Sequence, residues 1–126
     1  MNSFKTLFSF ILVYACVTSY GKGINNLWLM GYASGFPLCG GIDWEFNINP
    51  VNISLVNRKM NFLETNASIC DINGNIIFYT NGLWVANNLN DTMLNGSGLN
   101  PSPIATAYME HGLPLPQATL ILPFPN

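Results

Sequence analysis

Apolar positions in this chain fall in short runs rich in branched and aromatic side chains, divided by Gly, Pro and Asn. Past the first residues, no window repeats apolar positions at helical spacing for three turns, so the runs read as strands. They predict strands over 27–32, 42–47, 53–56, 67–71, 75–80, 83–87 and 119–124. The expected fold class is all-β, built of antiparallel meanders. Residues 88–117 differ. They are rich in Gly, Pro, Asn and Ser and predict a long surface loop, read as a plain connector.

The stretch "CDINGNIIFYTNGLWV", residues 70–85, contains Asn73-Gly74 and Asn81-Gly82. An Asn-Gly pair between strand-like runs favours a two-residue hairpin in which both residues take positive φ. Two such turns make a three-stranded meander. Counting outward from them sets Ile69 opposite Phe78, Cys70 opposite Ile77, Tyr79 opposite Trp84 and Phe78 opposite Val85. One face then carries Ile69, Ile76, Phe78, Leu83 and Val85, and the other Cys70, Ile77, Tyr79, Trp84 and Ala86.

Both faces are apolar, whereas a sheet with one wet face alternates apolar with polar. Burying one such side chain stabilises by roughly 1.5–3 kcal/mol, so both faces call for cover. A β-propeller supplies it, because each blade is a short meander stacked between two others. The mature chain would furnish only the first one to two blades of such a ring, and it is expected to be the N-terminal part of a longer protein, truncated at its C-terminus.

Residues 1–21 have the order of a secretory signal peptide: a short start with Lys5, an apolar run over 7–17, then small and polar residues. The run is too short to span a bilayer of about 30 Å, and cleavage is expected after Ser19 or Gly21. This leaves no transmembrane segment and divides the chain into a leader, 1–21, and a β-propeller-like part, 22–126. A competing reading makes Cys16 the lipidated residue of a lipoprotein junction, with Tyr14 a poor fit to that pattern.

Only 8% of residues are charged and the formal net charge is −2. After the leader the basic residues are Lys22, Arg58 and Lys59, too few to track a phosphate backbone, so nucleic acid is excluded as a partner. Cys39 and Cys70 remain after leader removal. They are open to a disulfide in an oxidising compartment, or to separate roles as a loop thiol and a small buried side chain.

Candidate chemistry is sparse. Asp43 and Glu45 sit two apart on a strand and share a face, but same-strand carboxylates do not flank a glycosidic bond, and a solvated strand edge is the plainer reading. "DINGN" starts like a calcium loop yet lacks the later acidic ligand, and its Asn-Gly is accounted for by the turn. His111 is the single histidine and lies in the predicted loop beside Glu110. Trp28, Trp44 and Trp84 suit sugar stacking or, more plainly, a core. Asn-x-Ser/Thr triplets begin at Asn52, Asn66, Asn90 and Asn95. No catalytic, cofactor-binding or metal-ligating residue is assigned, and no cofactor is implied.

The residues "NFLETNASICDINGNIIFYTNGLWVANNLNDTMLNGSGLN", followed by "PQATLILPFPN", carry a resemblance. Their succession of D-x-x-G-N, Y-T-N-G, V-x-N, M-x-N-G-x-G and Q-x-x-L-I-L-P-x-P resembles the N-terminal region of large secreted β-propeller-like proteins of Bacteroidota. Upstream, "LWLMGY" and "GGIDWEFN" resemble that family's opening strands. The resemblance implies export, frequently type IX secretion, and a sorting domain that this sequence lacks. The expected function is a non-catalytic, secreted or surface-bound scaffold for binding or adhesion. Its partners would be an extracellular protein or glycan and the remaining blades. The alternatives are a glycan-active enzyme with its acids in later blades, and a small lipoprotein anchored at Cys16.

Overall fold

A computed structural model describes residues 23–31 and 41–123. The segment expected to be a leader, with Cys16, and Cys39 lie outside the described residues. These form two three-stranded antiparallel sheets and one short helix. The first sheet runs β1 (Leu27–Met30), β2 (Gly41–Glu45), β3 (Asn52–Val56), with β2 central. The second is a consecutive meander of β4 (Ala67–Cys70), β5 (Ile76–Thr80) and β6 (Val85–Asn87). Helix α1 (Pro103–Ala107) begins at Ser102, whose Oγ accepts from the Ala105 N–H at 3.1 Å, with Pro103 just inside the start. The all-β expectation holds.

Directly paired residues share a face of a sheet. In the first sheet, Trp28, Trp44 and Ile53 line up across the strands, as do Met30, Ile42 and Leu55, and this row faces away from the second sheet. The opposite face carries Leu27, Leu29, Asp43, Glu45 and Ser54. Leu29 is buried with Met60, Phe62, Tyr79 and Ala86, so this more polar face is the one turned inward. The arrangement inverts the usual rule of apolar in and polar out.

In the second sheet the register departs from the predicted one at two places. Ile69 pairs with Phe78 as expected, but the next pair is Cys70 with Ile76, leaving Ile77 as an extra residue on β5. This bulge moves Ile76 onto the face of Ser68, Tyr79 and Ala86, where it packs against the core. Ile77 is released to 47% exposure, so it does not belong to the buried face. Beyond Thr80 the register is displaced by two: Thr80 pairs with Val85 and Tyr79 with Ala86 rather than Trp84. A shift of two keeps each side chain on its face, so Tyr79 and Ala86 stay together while Leu83 and Trp84 enter the connection.

The 88–117 segment is more than a connector. Leu83, Ala105 and Leu113 form a second buried cluster. The Leu113 N–H donates to the Asn81 carbonyl at 3.0 Å and the Leu99 N–H to that of Leu83 at 2.9 Å. The Asn100 amide donates to the Gly82 carbonyl at 2.8 Å. The segment folds back over the 81–84 connection because that connection's carbonyls need donors. Residues 119–123 form no strand, and Leu120 and Leu122 are exposed.

Candidate functional site: a cleft between the sheets

The chemistry of the inward face gathers around Arg58. Although this side chain is buried, its Nη1 donates to the Met30 carbonyl at 3.2 Å and its Nη2 pairs with Asp43 Oδ1. The guanidinium carbon lies 5.4 Å from the Phe62 ring centre and 5.7 Å from that of Tyr79, within cation–π range. One cation thus links β1, β2 and the core. Gly41 makes room for it, since a Cβ there would sit 2.5 Å from Nη1.

Asp43 therefore belongs to a central strand and an ion pair, not to a solvated edge. Burial pushes its carboxyl above the ordinary value, and the neighbouring Arg58 charge and hydrogen bond offset only part of that rise. Glu45 shares its face, as the spacing predicts, and accepts from the Asn52 amide at 3.4 Å. Burial likewise raises the Tyr79 phenol, whose hydroxyl hydrogen-bonds the Asn90 side chain.

The far wall comes from two turns with one design. In the first, the Asp71 N–H donates to the Asn75 carbonyl at 2.8 Å and the Gly74 N–H to the Asp71 carbonyl at 3.0 Å. Asp71 Oδ1 also accepts from the N–H groups of Asn73 and Asn75, at 2.8 and 2.9 Å. In the second, the Asn87 N–H donates to the Asp91 carbonyl at 2.9 Å and the Asn90 N–H to the Asn87 carbonyl at 3.1 Å. Asn87 Oδ1 accepts from the N–H groups of Leu89 and Asp91, at 2.9 and 3.0 Å.

The left-handed position is Gly74 (φ 86°) in one turn and Asn90 (φ 64°) in the other. Each is a three-residue loop with one left-handed residue, whereas the two-residue form predicted for Asn73-Gly74 needs positive φ at both. β4 and β6 both run antiparallel to β5, so the turns that follow them lie at the same end of the sheet. At the other end Gly82 (φ 84°) is left-handed, and Asn81 Oδ1 accepts from the Leu83 N–H at 3.1 Å.

Between these turns and the inward face of the first sheet lies a cleft. Its two adjoining hollows, about 310 and 370 Å³, share Leu27, Asp43, Ile76 and Asn88. Arg58, Tyr79 and Asn90 line the first, and Glu45, Ser54 and Asn75 the second. Volumes of this order suit a small ligand or one residue of a larger one.

Other sequence candidates fall elsewhere. The "DINGN" carboxylate is spent on its own turn: hydrogen bonds from Asn75 and Asn73 hold Asp71 below the ordinary carboxylate value. Cys70 is a buried free thiol, raised by burial. Trp28 is 54% exposed on the outward face against Phe46, with ring centres 5.0 Å apart, so it is not a core residue. Trp44 is half-buried on that face, its Nε1 buried without a partner among the described residues. Trp84 is half-buried against both clusters. His111 lies 6.5 Å from the Tyr108 ring, far along the chain from the cleft residues.

Among the described residues no group of three or more His, Cys, Asp or Glu side chains could hold a metal ion. No described helix is long and apolar enough to cross a membrane. Arg58 and the second Asx turn are the cleft features that sequence reasoning passes over. The signals for them are a lone Arg in a charge-poor chain, and an Asn followed four residues later by Asp. Comparison with protein-family models, curated proteins and solved structures finds no match.

Proposed function

We propose that this chain is part of an exported, non-catalytic binding scaffold with β-propeller-like architecture. The carrying observation is the outward face of the first sheet, where Trp28, Ile53 and Leu55 are more than half exposed beside Met30, Ile42 and Trp44. A face of this kind is what the next layer of a stacked β architecture covers.

The second sheet adds support. Its meander continues past the 87–91 turn into a bridge between Ala86 and Thr92, so a fourth rung follows in sequence order, as in a propeller blade. The binding reading draws on the cleft. Within the cleft the Asp43 carboxylate is engaged by Arg58, which commits it to holding the sheet face rather than to acid–base work. Export rests on the leader pattern of residues 1–21.

The test is expression of the gene with its own leader, followed by fractionation, intact-mass measurement and incubation with a polysaccharide panel. The reading requires a mature start at Tyr20 or Lys22, material outside the inner membrane and no turnover. Unprocessed chain in the cytoplasm, or hydrolysis of a panel member, overturns it, and a lipid-modified Cys16 favours the anchored alternative.

A further inference from the structure

We infer that the cleft between the sheets binds a neutral carbohydrate, an inference that rests on the scaffold reading and names its ligand class. Charge narrows the choice first. Arg58, the cation among the described residues that line the cleft, is committed to Asp43, so an anionic ligand finds no free positive partner among them and meets Glu45 instead. A divalent cation takes six or more oxygen ligands, usually with several carboxylates, and Glu45 is the one acidic group there not already paired with a cation.

Hydrogen-bonding capacity narrows it further. The Ser54 hydroxyl and the Asn88 amide make no hydrogen bond among the described residues, and both line the larger hollow with Glu45 and Asn75. Together they offer donors and acceptors from both walls. The main chain of β2, which carries Asp43 and Glu45, is paired on both sides by β1 and β3, so the cleft floor at these two residues offers an extended peptide no strand edge. A ligand must bring several hydroxyls of its own to meet these side chains. Leu27 and Ile76 between the polar groups give the C–H face of a sugar ring an apolar surface.

The experiment titrates the purified full chain with cello-, malto-, xylo- and manno-oligosaccharides, and with oligogalacturonate as the anionic control, by calorimetry and by amide chemical-shift mapping. Binding of at least one neutral sugar is expected, with shifts centred on Glu45, Ser54, Asn75 and Asn88. Asn88→Ala and Ser54→Ala should each weaken binding about three- to ten-fold, the loss of one hydrogen bond. Both replace side chains without internal partners, so circular dichroism should report the native fold.

Trp28→Ala, on the outward face, should leave affinity unchanged. Four results overturn the site: no neutral sugar binds, oligogalacturonate alone binds, both cleft variants bind as the parent does, or Trp28→Ala abolishes binding. Leader processing and location test the scaffold reading separately, so it stands or falls independently of these titrations.

Discussion

Asp71 and Asn87 do the same work in two turns at one end of the second sheet, each side-chain oxygen accepting from the N–H groups two and four residues ahead. An amide performs in one turn what a carboxylate performs in the other. Asp71→Asn should therefore keep the turn while removing its titration. In the parent, hydrogen bonds hold Asp71 below the ordinary carboxylate value, so its contribution is present above that value and lost as pH falls through the lower, folded one. Urea midpoints measured from neutral pH down to about pH 3 should show the variant losing less stability than the parent. An identical acid slope would contradict the assignment.

Arg58 is the group whose loss should cost most. Arg58→Met leaves Asp43 partly buried without its cation, and the expected destabilisation is about 3 kcal/mol, the lower end for a broken buried pair because Asp43 keeps some solvent contact. Asp43 already sits above the ordinary carboxylate value through burial, and protonation removes its charge. The loss should thus shrink as pH falls through the raised value of Asp43, and Asp43→Leu added to Arg58→Met should recover part of it. Chemical denaturation of the single and double variants checks both statements.

Leu113 tests whether the 88–117 segment belongs to the fold. It is buried against Leu83 and Ala105, and its carbonyl accepts from the Thr65 N–H at 3.3 Å. Leu113→Ala should cost about 2–4 kcal/mol, as truncation of a buried leucine does. Limited proteolysis should then cut between residues 88 and 117 well before the parent is cut there. Unchanged stability and cleavage would return the segment to the status of a connector.

Cys70 should resist thiol reagents in the folded chain. It is buried, and burial raises its thiol above the ordinary cysteine value, so the thiolate that reacts is scarce. Iodoacetamide at pH 8 should leave the Cys70 peptide unmodified until denaturant is added, as read by mass spectrometry. Prompt labelling under native conditions would show that the β4 end opens readily.

How much of this was legible depends on what sets each feature. Six of the seven predicted strands exist, because runs such as "LWLM" and "IIFYT" carry their own preference for extended structure. The sites of both Asn-Gly turns were legible for the same local reason, but the type of neither was: the Asp71 side chain favours a three-residue loop, and Thr80 pairs with Val85, which makes residues 81–84 the second connection. The bulge at Ile77 follows from that choice, which displaces the ladder by one residue. The inward turn of Asp43 was hidden because its partner, Arg58, lies fifteen residues away in sequence and meets it only once β2 and β3 pair. The strand predicted over 119–124 failed because strand propensity alone does not supply a pairing partner.

The outward face of the first sheet gives the last prediction. Ile53 and Leu55 are 56% and 69% exposed on an edge strand, beside Trp44 and Ile42 and in the same rows as Trp28 and Met30. Exposed strand edges backed by an apolar face recruit further β structure or aggregate. If a further layer normally covers this face, the chain alone should bind a hydrophobic dye and self-associate as concentration rises. Ile53→Thr with Leu55→Thr, which keeps strand preference and removes apolar surface, should reduce both effects with little change in unfolding midpoint. Sedimentation and dye fluorescence decide the point. A monomeric parent with no dye uptake would mean that the face is already satisfied within the chain, and the need for a neighbouring layer would disappear.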